Sequence, residues 1–329
     1  MKKYSFLLFL FTSFVQVNDL KAQPTTASYS KMSQQELNAA FANAVYSNKV
    51  EEVENLLLAG ADINTMIWEQ EDSYPFSNHP LFFTAAENRP KMLRILLPYK
   101  NKVNNMDEEV ASALGTAIYH EYHEIVQEFV KAGVNINYQR RIVKNTPLID
   151  AATSSNEIVQ ILLKAGANVH LKDKDNLTAL SKAVRRGHVE NAQTLLRAGA
   201  DLHERNNYRY EENKHGQTLL MAAVLNIDLP MVKMLIELPK MTRGKYYLFG
   251  DKPINDTDKD GNTALIHAAK SIRYSYRQGY QSEKDQCENS QEIFWMLYHH
   301  TGVDNSHANN AGETADALLK KLQKEASQH

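Results

Sequence analysis

The sequence predicts an all-α solenoid of about seven helix-turn-helix repeats, with a C-terminal capping helix and long loops between some repeats. A glycine-led ending recurs at Gly133, Gly166 and Gly199, about 33 residues apart, and a fixed period of this length is typical of stacked repeats. Between residues 176 and 203, two short apolar patterns with helical spacing meet at Gly187. Helices this short are not stable alone in water, so their apolar faces must be buried against neighbouring units.

The starts of the predicted helices recur as well. They read Asn145-Thr-Pro-Leu-Ile-Asp-Ala-Ala152, Gly216-Gln-Thr-Leu-Leu-Met-Ala-Ala223 and, within Asp258–Ala269, Gly-Asn-Thr-Ala-Leu-Ile-His-Ala-Ala. A turn, a threonine-led helix, an alanine pair, a leucine-rich second helix and a Gly-Ala-Asp ending together resemble the ankyrin repeat. The resemblance extends from about residue 34 to 322. It implies a rigid stack that binds other proteins through its concave face and the finger loops beside it.

Each motif residue has a physical role. We expect the hydroxyl groups of Thr146, Thr178, Thr218 and Thr263 to accept hydrogen bonds from backbone N–H groups at the starts of the first helices. Glycines at the ends of the second helices suit the left-handed backbone conformation. The ankyrin pattern has a histidine directly after Thr-Pro-Leu, but Ile149, Ser181 and Ile266 occupy that place here, and His267 lies one residue later. The threonine–histidine bond usual in the family is therefore not implied.

The predicted organisation is a signal peptide at 1–22, a disordered leader at 23–33 and a repeat domain at 34–329. The predicted repeats span about 34–64, 79–104, 112–137, 146–170, 178–203, 218–238 and 263–304, followed by a cap at 309–324. In the seventh repeat, an insertion separates a first helix at about 263–273 from a second at about 290–299.

The N-terminus predicts export. Lys2 and Lys3 precede an uncharged apolar run, and the segment ends near Ala22 with the small residue that signal peptidase requires. The run is short for a membrane span, although an uncleaved anchor is the alternative. Cys287 is the only cysteine, so an internal disulfide is excluded and the stack must be held by packing. These features favour a periplasmic or secreted bacterial protein.

The formal net charge of −2 does not indicate nucleic-acid binding. No nucleic-acid partner is therefore expected. The resemblance to the ankyrin repeat implies another protein as the partner. We further expect no cofactor, no membrane insertion after signal cleavage and a monomeric chain.

Insertions break the period at 65–79, 204–215, 239–257 and 274–289, and the first three lie where the family places its fingers. Tyrosine, tryptophan and arginine dominate interface hot spots. The predicted partner-binding residues are Trp68, Tyr74, Tyr208, Tyr210, Arg243, Tyr246, Tyr247 and Phe249. The alternative is that these aromatic rings fold back onto the stack. The fourth insertion lies inside the seventh repeat, where it either joins a surface or extends the two helices.

No catalytic or metal site is predicted. His120 and His123 are one residue too close for the zinc-protease helix motif, which requires histidines at i and i+4. His299, His300 and His307 are candidates only for adventitious metal binding. An enzyme built on the inserted loops would need a cluster of perturbed titratable groups in a pocket.

The sequence thus predicts a non-enzymatic interaction scaffold or regulator of the bacterial envelope. The alternatives are an exported effector that binds a host protein and an immunity-like inhibitor of a toxin or enzyme.

Overall fold

The structure is a computed structural model that describes residues 29–67, 79–206, 216–241, 253–278, 284–300 and 302–326. In chain order its helices are α1 (Gln34–Tyr46), α2 (Val50–Leu58), α3 (Pro80–Ala86), α4 (Pro90–Leu96), α5 (Met106–Tyr119), α6 (His123–Lys131), α7 (Pro147–Ala151), α8 (Asn156–Lys164), α9 (Ala179–Arg185), α10 (Val189–Arg197), α11 (Leu219–Leu225), α12 (Leu229–Met241), α13 (Ala264–Gln278), α14 (Lys284–Tyr298) and α15 (Ala315–Ala326). Two 3-10 turns cover Leu97–Lys102 and Pro253–Asn255. Two short strands, β1 (Arg205–Asn206) and β2 (Gln217–Thr218), pair antiparallel.

The helices form two layers. Each odd-numbered helix from α1 to α13 packs on the next odd-numbered helix, ending at α15, and we call these the first-helix layer. Each even-numbered helix from α2 to α12 packs on the next even-numbered one, ending at α14, and these form the second-helix layer. Every unit therefore contacts its neighbours in the chain, which is the arrangement of a solenoid. The all-α repeat fold is confirmed.

The core runs continuously between the two layers. Three phenylalanine side chains in this core are fully buried: Phe41 near the N-terminal end, Phe129 in the middle and Phe294 near the C-terminal end. Burial of apolar surface stabilises the fold by roughly 25 cal/mol per Å². Helix α7 is only five residues long, so it depends on this burial and on its neighbours rather than on its own hydrogen bonds.

The threonine caps are confirmed. The hydroxyl oxygens of Thr146, Thr178 and Thr218 each accept from the backbone N–H three residues later at 3.2 Å, and that of Thr263 does so at 3.3 Å. His79 holds the equivalent place before α3, where its Nδ1 accepts from the N–H of Leu81 at 3.2 Å. Such caps satisfy backbone donors that the first helical turn leaves unpaired.

Gly166 shows why glycine ends the second helices. It follows α8 with a φ of +90°, a conformation that side chains with a Cβ rarely adopt. The chain then turns back toward the next first helix.

His267 bonds to the preceding loop. Its Nε2 lies 2.8 Å from Oδ2 of Asp258, a residue whose other carboxylate oxygen accepts from the backbone N–H groups of Asp260 and Asn262. Burial lowers the pKa of His267, although Asp258 acts in the opposite direction. Because this histidine lies one residue later than in the ankyrin pattern, it bonds to Asp258 in the loop rather than to the threonine at the start of the helix.

Polar side chains of one repeat cap the C-terminus of the first helix in the preceding repeat. Arg89 donates through Nη1 to the carbonyl oxygens of Val45 and Tyr46 at the end of α1. Asn191, in α10, donates through Nδ2 to the carbonyl oxygens of Ala152 and Ser154 after α7. These bonds satisfy carbonyl groups that a helix C-terminus otherwise leaves unpaired.

Some predicted helix limits were too narrow. Helix α5 begins at Met106 rather than near residue 112, and the acidic residues of its first turn favour that N-terminus. Helix α13 ends at residue 278, whereas the sequence predicted an end at about 273. Helix α14 begins at residue 284, whereas the sequence predicted a start at about 290. The fourth insertion thus contributes to both helices, which pack against each other.

Candidate functional site

All predicted partner-binding residues lie outside the described residues. They are Trp68, Tyr74, Tyr208, Tyr210, Arg243, Tyr246, Tyr247 and Phe249. Their contacts with a partner stay a prediction.

A groove of about 850 Å³ crosses the first-helix layer in the middle of the stack. Its walls come from α3, α5, α7 and the end of α9, and from the loop 138–145, which we call the central finger. The central finger is a compact turn, because the backbone N–H of Arg140 bonds to the carbonyl oxygen of Asn145 and that of Lys144 to the carbonyl oxygen of Arg140. The position and shape of the groove are therefore set by regular elements.

Arg140 is the central charged residue of the groove. Its Nη2 lies 2.7 Å from Oδ2 of Asp150 on α7, and Nδ2 of Asn145 donates to the other carboxylate oxygen at 2.6 Å. Burial raises the pKa of Asp150, whereas Arg140 and Asn145 favour its charged form. The pair holds the guanidinium group in one orientation at the base of the finger.

Gly115 provides the space for that guanidinium group. It lies inside α5, where glycine costs about 1 kcal/mol relative to alanine. A Cβ atom at this position would stand 3.1 Å from Nη1 of Arg140 and 3.5 Å from Oδ2 of Asp150. The close approach of Arg140 and Asp150 therefore explains why position 115 is a glycine, although glycine is unfavourable inside a helix.

We expect Gly115→Leu to lower the free energy of unfolding by about 2 kcal/mol, because the larger side chain overpacks the site and displaces Arg140. Urea unfolding measures the change. In an R140A/D150N background, which clears the space above the helix, the same substitution should cost less than half as much. An equal cost in both backgrounds would contradict the proposed contact.

Two further cations line the groove from the next repeat. Lys182 on α9 reaches Oδ2 of Asp173 at 2.8 Å, and Arg186 follows one helical turn later. Arg186 is exposed and makes no salt bridge with any residue that the structure describes.

Large apolar side chains are exposed next to these charges. Tyr119, at the end of α5, lines the groove and is 80% exposed, and Ile142, in the central finger, is 85% exposed. Exposed aromatic and branched side chains around a concave site are typical of protein-binding surfaces.

The histidine candidates have other roles. The ring of His120 stacks on Tyr122, while Nε2 of His123 lies 2.9 Å from Oγ of Ser155 and 3.7 Å from Glu157. In a serine-hydrolase triad the carboxylate holds the second ring nitrogen, whereas here both groups face the same nitrogen. This geometry fits a structural contact at the start of α8.

The C-terminal histidines are likewise separated. His299 stacks on Trp295, and Nε2 of His307 lies 2.9 Å from the carbonyl oxygen of Gly261. Among the residues that the structure describes, no group of three or more His, Cys, Asp or Glu side chains is placed to hold a metal ion.

Sequence reasoning missed the individual residues of the groove. The sequence patterns predict binding at the concave face and the fingers, with the contact residues in the long insertions. The available signals were a glycine at position 115 inside a helix and two arginines, Arg140 and Arg141, in a finger of ordinary length.

Comparison with known families identifies the repeat. The family model described as "Ankyrin repeats (3 copies)" matches residues 41–140 and 138–206. The chain belongs to the ankyrin-repeat family. Ankyrin repeats mediate protein–protein interaction, and proteins of this family are typically binding scaffolds without catalytic activity.

One solved structure supports the fold. The ankyrin-repeat domain of Bcl-3, a member of the IkappaB protein family, is 21% identical with a TM-score of 0.55, over 78% of this chain and 100% of that chain. A second similar structure is the Bd0816 predatory endopeptidase from Bdellovibrio bacteriovorus in complex with immunity protein Bd3460. It is 24% identical over 64% of this chain and 92% of that chain, with a TM-score of 0.44. No curated protein matches this ankyrin chain in sequence.

The described helices of this ankyrin protein give no membrane span. Within the part of the chain that the structure describes, no helix is both long and apolar enough to cross a bilayer.

Proposed function

We propose that this ankyrin-repeat chain is a non-enzymatic binding module of the bacterial envelope, which holds a partner protein against the groove and the adjoining fingers. The observation that carries the proposal is the groove of about 850 Å³ on the first-helix layer, with Tyr119 exposed on its wall. A rigid stack presents such a surface without having to order it on binding, which reduces the entropic cost of association.

Two other features support a location in the envelope and a contribution of the inserted fingers to binding. The basic and apolar N-terminal segment favours export, and the single cysteine suits a fold held by packing. The inserted fingers that carry Trp68, Tyr208 and Tyr247 are rich in the residue types that dominate interfaces. We infer that these fingers extend the contact surface beyond the groove.

Site-specific photocrosslinking tests this function. A photoreactive phenylalanine analogue is placed at Tyr119 or Ile142 in the full chain, and at Gln160 as a control, because Gln160 is exposed on α8 in the second-helix layer. In the cells that encode the protein, we expect one adduct of defined mass from positions 119 and 142 and none from position 160.

The outcomes separate the parts of the proposal. The same adducts from all three positions, or no adduct from the groove positions, would contradict a partner held in the groove. Recovery of the chain in the cytosol rather than the envelope would contradict the envelope role while leaving the binding surface in place. A further variant at Tyr247 tests whether the finger at 239–257 joins the interface.

A further inference from the structure

The charge pair at the groove is reversed relative to its equivalents in the stack. In two other repeats the loop supplies the acid and the first helix the base, as in Asp173 with Lys182 and Asp258 with His267. In the repeat of α7, the finger supplies Arg140 and the helix supplies Asp150. The reversal leaves the fold unchanged, but it places a guanidinium group where the other repeats have a carboxylate.

The guanidinium group of Arg140 is held in a fixed orientation in which it can bind an anion. Asp150 fixes Nη2, and Gly115 lets Nη1 approach the backbone of α5. A guanidinium group carries five N–H donors, and the bond to Asp150 uses only one of its two outer nitrogen atoms. A fixed donor group loses little side-chain entropy when it binds a carboxylate.

The surroundings add positive charge. Lys182 and Arg186 line the groove together with Arg140. Lys144 is exposed on the central finger, and Lys174 is exposed on the loop beside it. Neither Lys144 nor Lys174 forms a salt bridge within the described part of the chain. The groove also contains two carboxylates, Asp150 and Glu121. Arg140 is paired with Asp150 and Lys182 with Asp173, so the excess positive charge comes from Arg186, Lys144 and Lys174. This local excess of cations contrasts with the formal net charge of −2 of the whole chain.

We propose that the groove binds an acidic segment of the partner protein, with a carboxylate between Arg140 and Arg186 and an apolar side chain against Tyr119. This inference rests on the proposed binding function and specifies the chemistry of the partner. The neighbouring wall residue Phe82, which is half-buried, provides further apolar surface at the Tyr119 end. Electrostatic complementarity of this kind gives specificity and a faster association rate.

Nucleic acid fits the same surface less well. A phosphate backbone needs a row of cations, whereas the finger is flanked by the acidic first turn of α5, which includes Asp107, Glu108 and Glu109. Oε2 of Glu108 accepts from the hydroxyl group of Tyr138 and from the backbone N–H of Arg141, so this acid is fixed at the base of the central finger. A short acidic peptide can avoid this region, but a continuous strand would meet it.

Selection of peptides tests the inference directly. The full chain is used to select from a displayed library of random dodecapeptides, and labelled single-stranded DNA serves as a second probe. Binding of the selected peptides is then measured by fluorescence polarisation with two variants, Arg186→Glu and the neutral pair R140Q/D150N. The second variant removes both charges together, so it leaves no unpaired buried charge.

The matched control removes cations from the second-helix layer. It combines Lys91→Gln, Lys164→Gln and Arg197→Gln, which are exposed positions on α4, α8 and α10. We expect peptides enriched in Asp and Glu, a loss of affinity of about tenfold or more in each groove variant, and a change below about twofold in the control. Higher salt should weaken binding to the original chain more than binding to the groove variants.

Four results would overturn the inference. Selected peptides without acidic enrichment, or binding unaffected by the groove variants, would show that charge does not select the partner. DNA binding that is lost in the groove variants, without any acidic peptide, would assign the surface to nucleic acid. Failure to enrich any peptide would reject an acidic linear segment, while crosslinking at Tyr119 would still decide whether the groove binds a protein at all.

Discussion

Replacing Asn191 with alanine is expected to lower the free energy of unfolding by about 3 kcal/mol, because buried carbonyl groups lose their donor. The Asn191 side chain is 2% exposed. Its Nδ2 donates to the carbonyl oxygens of Ala152 at 3.0 Å and Ser154 at 2.9 Å, and its Oδ1 accepts from Nδ2 of Asn156 at 3.0 Å. The substitution therefore affects three polar groups of the preceding repeat and leaves a small cavity.

Urea unfolding followed by circular dichroism measures the effect. Asn191→Asp is the sharper variant, because a carboxylate keeps the shape but cannot donate to the two carbonyl groups, and we expect it to be at least as destabilising. Arg197→Ala, an exposed change in the same helix, should stay within about 0.5 kcal/mol. If Asn191→Asp were neutral, the bonds across the repeat boundary would contribute nothing to stability.

The position of Asn191 gives a second expectation. It joins α10 to the end of α7, and in a solenoid each interface couples only adjacent units. A weakened interface in the middle of the stack should broaden the unfolding transition as well as move its midpoint.

Substitution of His79 with threonine is expected to remove about 3 kcal/mol of the stability loss that accompanies acidification from pH 7 to pH 4. Burial lowers the pKa of His79 to about 4, while Asp62 acts in the opposite direction. The side chain is 4% exposed, and its Nδ1 must stay unprotonated to accept from the N–H of Leu81. Protonation therefore opposes the cap at the start of α3.

The direction of the effect follows from the two states. The folded pKa of His79 lies below the value of about 6.5 in the unfolded chain. Its contribution is therefore complete above about pH 6.5 and is lost as the pH falls toward 4. Threonine keeps a cap acceptor, as at the other first helices, but it does not titrate.

The comparison uses the free energy of unfolding at several pH values for both chains. Carboxylates titrate in the same range, so the difference between the two chains isolates the histidine. His170→Thr is the control for loss of a histidine side chain, because that residue is exposed in the folded state. Parallel pH profiles for His79→Thr and the original chain would contradict the buried neutral histidine.

The repeat fold could be predicted from local patterns. The recurring glycine endings, the threonine-led helix starts and the apolar faces each depend on residues close together in the chain. The capping role of Thr146 and its equivalents required only the rule that the first helical turn needs acceptors. By contrast, His79 could not be assigned as a cap, because histidine is an uncommon residue at that position and its repeat departs most from the pattern.

The groove could not be predicted in the same way. The contact between Gly115 and Arg140 joins two adjacent repeats, and their sequence separation contains no periodic signal. The reversed pair Arg140–Asp150 reads as two ordinary surface charges until the finger is folded back onto the first helix. The long insertions can be recognised in the sequence because they break the period, whereas Gly115, Arg140 and Asp150 lie in repeats that keep it.

Local patterns are enough to establish an ankyrin-type stack, because short helices with apolar faces and a fixed period must bury those faces against one another. The place where charge and exposed apolar surface meet depends on tertiary packing. Side chains from different repeats are brought together by stacking, and the spacing of Arg140, Arg186 and Tyr119 around one groove depends on how four successive units pack.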